Sequence, residues 1–100
     1  MLNDNERKHL NWMREQIIAY ETGASELGAL IAGLESLVGT MESLAPKDRE
    51  DFVRHWGELE QVYAVALDRE MQELDCVGQQ IVNEGIGKLK GWIDGVGAEA

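Results

Sequence analysis

The sequence predicts an all-α domain, a small antiparallel bundle of about four helices. Apolar residues recur at steps of three and four in four separate stretches. No stretch alternates with a period of two, and no Asn-Gly or Asp-Gly turn sits between two β-branched runs. The breaks between the stretches are short, which implies antiparallel neighbours. The 100 residues suffice for one domain, 1–100. A frayed tail is expected from about Gly95.

The first stretch, about Asp4–Tyr20, carries Leu10, Met13, Ile17 and Tyr20 on one stripe, with Arg7, Lys8, Arg14 and Glu15 off it. Gly23 reads as its stop and Ser25 as the next N-cap. The second stretch, about Ser25–Leu44, carries Leu27, Leu30, Ile31, Leu34, Leu37, Val38, Met41 and Leu44. Its opposite side is unusual for an exposed helix, being small and uncharged: Gly28, Ala29, Ala32, Gly33, Ser36, Gly39, Thr40 and Ser43. Glycine in a helix costs about 1 kcal/mol relative to Ala. Gly28, Ala32, Gly33, Gly39 and Thr40 are therefore expected to be closely covered, by the bundle or by a partner.

Pro46 and the acids after it open a third helix, about Lys47–Asp68. Phe52, Trp56, Leu59, Tyr63, Ala66 and Leu67 are expected to face inward. Leu30, Leu34, Phe52, Trp56, Leu59 and Tyr63 head the expected core. Residues 71–75 read as a loose connection, with Asp75 a cap. The fourth helix, Cys76–Ile93, presents Val77, Ile81, Val82, Ile86, Leu89, Trp92 and Ile93. Its several glycines give it poor intrinsic propensity, so packing must hold it.

Charge narrows the function classes. Nine Lys and Arg against 19 Asp and Glu leave a net charge of −10. Phosphate neutralisation needs clustered cations, so direct nucleic-acid binding is not expected, nor is an anionic membrane surface. A basic partner suits the balance, and residues 25–45 hold no cation at all. Cys76 is alone, which excludes a disulfide framework and suits a reducing compartment. No leader-like apolar segment opens the sequence, and no uncharged apolar run approaches the ~20 residues of a membrane span. The expected location is cytoplasmic.

Catalytic constellations are missing. Glu6-x-x-His9 has the spacing of a di-iron bundle ligand pair, but such a site needs a second pair and further carboxylates. Ser25, Ser36 and Ser43 lack a nucleophile elbow, and no nucleotide fingerprint occurs. Neither enzyme activity nor a metal or cofactor is expected. Glu60 falls between Trp56, Tyr63 and Leu67 on the helical wheel. It reads as a buried structural acid, which must be hydrogen-bonded or neutralised. Trp12 sits off its helix's stripe, where both core and interface roles stay open.

The run Leu30-Ile31-Ala32-Gly33-Leu34-Glu35-Ser36-Leu37, followed by Phe52-x-x-x-Trp56-Gly57-x-Leu59-Glu60-x-x-Tyr63-Ala64-x-Ala66-Leu67, resembles the colicin D immunity-like group of small helical immunity proteins. Related proteins accompany bacteriocins and contact-dependent inhibition toxins. The resemblance spans about Leu30–Asp68, and the glycine-rich fourth helix departs from its pattern. It implies a protein that neutralises a cognate basic toxin domain, a nuclease such as a tRNase, by occluding its active site with carboxylates. Glu35, Glu42, Asp51, Glu58 and Asp68 are the acids that match this role. Two other classes remain open: an acidic decoy or regulator of another nucleic-acid-binding protein, and a homo-oligomeric helical subunit paired through the small face of helix two.

Overall fold

The computed structural model describes residues 3–70 and 74–98, and among these it contains four helices and no strand. They are α1 (Asp4–Glu21), α2 (Leu27–Gly39), α3 (Pro46–Asp68) and α4 (Cys76–Ala98). Helix α1 packs on α2, α2 on α3, α3 on α4, and α4 closes the ring on α1, while the diagonal pairs stay apart. The expected antiparallel bundle is what forms.

Each helix has a local cause. Asn3 caps α1 through a capping box: its side chain accepts from the Glu6 N–H at 2.9 Å, and Glu6 Oε1 accepts from the Asn3 N–H at 3.4 Å. Gly23 ends α1 with φ +82°, the left-handed position that glycine takes at low cost. Ser25 is not the next cap. Glu26 occupies that place without a side-chain hydrogen bond, while the Ser25 N–H turns back to the Ala19 carbonyl at 3.1 Å. Pro46 opens α3, where its missing N–H costs nothing. Asp75 caps α4 as expected, accepting from the Gly78 N–H at 2.6 Å. Residues 71–73 of that connection, and 99–100 of the expected frayed tail, lie outside the described residues. Helix α4 itself continues past Gly95 to Ala98, because Val96 is buried.

Helix α2 stops short of Leu44. Arg49, from the first turns of α3, donates to the carbonyls of Val38 at 3.3 Å and Met41 at 2.6 Å. Its cation meets the negative end of the α2 dipole and satisfies carbonyls that the helix leaves open. The chain then leaves the helix, yet Met41 and Leu44 still drop into the core.

The core holds Leu10, Met13 and Ile17 of α1, and Leu27, Leu30, Ile31, Leu34 and Val38 of α2. Phe52 and Leu59 of α3 meet Val82, Ile86, Leu89, Trp92, Ile93 and Val96 of α4. Leu30, Leu34, Phe52 and Leu59 are thus core as expected; Trp56 and Tyr63 are half-buried and pack against its edge. Trp56 Nε1 donates to the Ile31 carbonyl at 2.9 Å, tying α3 to α2. Trp92 Nε1 donates to the Asp48 carbonyl at 2.8 Å, and its ring lies 5.2 Å from that of Phe52. Between α3 and α4 the seam is made by Gly78 and Gly85, two turns apart. A Cβ on Gly85 would come 2.5 Å from Leu59 Cδ1 and 3.6 Å from the His55 carbonyl oxygen, so this glycine lets the two backbones close up.

Some inward assignments fail. Leu67, Val77 and Ile81 are exposed, because the α3 stripe centres on Phe52, Leu59 and Ala66, and the α4 stripe on Val82, Ile86, Leu89 and Ile93. Those centres put Leu67 and Ile81 roughly a quarter-turn away, and Val77 well over a third of a turn, at 100° per residue.

Candidate functional site

Glu60 is exposed, not buried. It lies about 100° from Leu59, the centre of the α3 stripe, and shares an outer strip with Val53 and Leu67. The buried acid is Glu6, only 4% exposed. Besides the Asn3 N–H, its carboxylate accepts the Ser43 N–H at 3.0 Å, reaching across to the α2–α3 connection. Burial by itself acts to raise the pKa of Glu6. The hydroxyl and N–H of Ser43 and the N–H of Asn3 outweigh it and hold the pKa below the usual carboxylate value. Glu6 is therefore an anionic clasp between the start of α1 and the α2–α3 connection.

The Glu6-x-x-His9 pair is not arranged as ligands. Glu6 points inward, and His9 Nδ1 donates to the Asn5 carbonyl, with the ring 5.1 Å from that of Trp12. Trp12 is exposed, which places it on the surface. His55 is half-buried on the α4 side of α3, its Nδ1 without a hydrogen-bond partner. Among the described residues, no group of three or more His, Cys, Asp or Glu comes together to hold a metal. No described helix is long and apolar enough to cross a membrane.

The small side of α2 is covered only at its edges. A Cβ on Gly28 would meet the Tyr63 hydroxyl at 2.6 Å, and one on Gly33 would overlap the Gln16 amide. Those two glycines are accounted for by the bundle's own neighbours. Ala32, Gly39 and Thr40, expected to be covered, are exposed, and so are Ala29, Ser36 and Ser43.

The five candidate acids occupy different places. Asp51 and Glu58 lie two turns apart on the α4 flank of α3. Asp51 pairs with Arg54 at 3.8 Å and Glu58 with Lys88 at 3.1 Å. Asp68 ends α3 on the side away from the core. Glu35 is exposed on α2 and Glu42 on the loop that follows. No ion pair engages Glu35, Glu42 or Asp68 among the described residues. Five of the cations are differently employed. Arg14 holds Asp94, Lys90 holds Glu21, Arg54 and Lys88 hold the acids named above, and Arg49 caps α2.

A groove missed by the sequence reading lies along the outer side of the α3–α4 pair. Val62, Val65 and Ala66 of α3 face Val77, Gly78 and Ile81 of α4 across a cavity of about 320 Å³, with Leu74 at its end. Apolar side chains placed to one side of a helical stripe look like the margin of a core face until the neighbouring helix is positioned. No family model matches the chain, and no curated protein or solved structure matches it.

Proposed function

We propose that this chain is an immunity-type binding protein that neutralises a basic toxin domain, a nuclease by the chemistry of its surface, through steric and electrostatic occlusion. The observation that carries this reading is the one-sided use of charge. Arg14, Arg54, Lys88 and Lys90 each answer a carboxylate of the same chain, while Glu35, Glu42 and Asp68 stand exposed, in no ion pair among the described residues. Such a surface speeds encounter with a cationic groove of the kind that binds RNA, and repels nucleic acid itself. The resemblance through Leu30–Asp68 supports the same reading.

The test is co-expression with the product of the reading frame directly upstream, followed by purification on a tag carried by this chain. A one-to-one complex that suppresses the partner's nuclease activity is expected. Its association rate should fall at least about tenfold between 20 and 300 mM salt, because exposed charges steer encounter only when unscreened. Glu35→Ala, Glu42→Ala and Asp68→Ala should slow association. Asp51→Ala and Glu58→Ala should slow it less, since Arg54 and Lys88 already offset those charges. A complex indifferent to salt and to all five changes would refute electrostatic occlusion.

A further inference from the structure

We propose that the outer α3–α4 groove is the docking site for the basic partner, receiving an aliphatic side chain flanked by lysines or arginines; this rests on the basic-partner reading above. In the groove, exposed apolar surface and acids coincide around a cavity. Val65 is 44% exposed, Val77 67% and Ile81 38%, and the three converge on one cavity. Valines held in water this way, beside a core that buries Val82 completely, have the character of an interface centre.

The floor is fixed by packing. A Cβ on Gly78 would come 3.3 Å from Val62 Cγ1, so the helices close up there, while Val65 and Val77 line the cavity. Asp75 anchors the same glycine's N–H at 2.6 Å. The groove thus needs no rearrangement to admit a side chain, and pre-organisation of this kind lowers the entropic cost of binding.

The rim selects the occupant. Glu58 and Asp75 line the groove. Glu84 stands two turns from Val77 on the same flank of α4, and Asp68 adjoins Arg69 at the end of α3. Two cations stand among these four acids, Arg69 and Lys88, and Lys88 is already held by Glu58 at 3.1 Å. A second copy of this chain is a poor occupant. Isologous pairing would set acidic rim against acidic rim, between molecules that each carry a net charge of −10. A partner with cations around an apolar anchor meets both the centre and the rim.

The probe is an 18-residue amphipathic helix built from Leu and Lys, with a Leu–Glu helix of the same pattern as its counterpart. Both are titrated into the 15N-labelled full chain, into V65S/V77S, and into E35Q/E42Q. Val65 and Val77 are exposed, so the serine variant should keep its fold, checked by its thermal melt. The Leu–Lys helix should shift the amides of Val65, Val77, Gly78 and Ile81. Its Kd should weaken at least tenfold in V65S/V77S and only about twofold in E35Q/E42Q, and the Leu–Glu helix should not bind. Shifts centred on α2, with V65S/V77S binding as the wild type does, would overturn the groove while leaving the basic-partner reading intact. Equal binding of both helices in the groove would overturn the basic occupant. Failure of the Leu–Lys helix to bind at all would overturn the docking site. A dimer in sedimentation that V65S/V77S abolishes would assign the groove to a second copy instead.

Discussion

Glu6 and Glu60 exchange the roles that their sequence positions suggest, and the reason is local. Glu60 has apolar residues before and after it at helical spacing, so the wheel draws it inward. Glu6 sits in the first turn of α1 among polar neighbours, where an acid is ordinary dipole complementation. Only the return of the chain to Ser43, 37 residues later, buries it. An Asn3-x-x-Glu6 capping box was the one legible signal, and it explains the bond from the Asn3 N–H but not those from Ser43. The consequence is measurable. Glu6→Gln keeps the shape but sets a donor-bearing amide against two N–H groups, so it should cost about 1–3 kcal/mol at pH 7 in urea denaturation. The pKa of Glu6 is lowered on folding, so its stabilisation is fully present above the unfolded value of 4.5 and drains away as pH falls through the lower folded value. The gap between wild type and Glu6→Gln should therefore narrow below about pH 4.5. A gap that stays constant down to pH 3 would show that the charge of Glu6 contributes nothing.

Helix α4 shows how one residue type serves opposite ends within a single element. Gly85 is buried against Leu59, whereas Gly87 and Gly91 have open space where a Cβ would go. Gly85→Ala should destabilise the fold by about 1–3 kcal/mol, since Leu59 is fully buried and has nowhere to move. Gly87→Ala and Gly91→Ala should each stabilise it by up to about 1 kcal/mol through helix propensity. Three thermal melts decide the matter: equal signs at all three positions would contradict the close α3–α4 approach. The existence, order and approximate limits of the four helices were legible because each has its own 3.6-residue stripe. The end of α2 was not, because Met41 and Leu44 continue the period after the backbone has left the helix under the pull of Arg49. Nor was the groove. Periodicity names the apolar side of a helix to within a residue, and at Ile81 one residue of rotation separates core from solvent. The sequence reading could name five acids, but whether an acid is already answered by a cation, as Glu58 is by Lys88 thirty residues on, is a tertiary fact.

For the whole molecule the charge of −10 acts twice, with opposite signs in salt. Within the free chain, unanswered acids along α2 and its following loop repel one another and weaken the compact state. Added salt screens that repulsion, with a Debye length of about 10 Å at 0.1 M. The free chain should therefore melt a few degrees higher at 0.3 M than at 0.02 M sodium chloride. The four ion pairs among the described residues oppose this trend only slightly, because their partners are largely exposed and such pairs contribute about 0–1 kcal/mol. In the complex the same acids face cations, so salt removes attraction rather than repulsion. Partner binding raises the melting point by mass action, and that increment should shrink as salt rises. Paired melts of the free chain and the complex across one salt series separate the two effects. If both curves rise together, the surplus acids act on folding alone and contribute nothing to recognition. If the free chain gains stability while the partner's increment falls, one uncompensated surface both loosens the isolated bundle and attracts its partner.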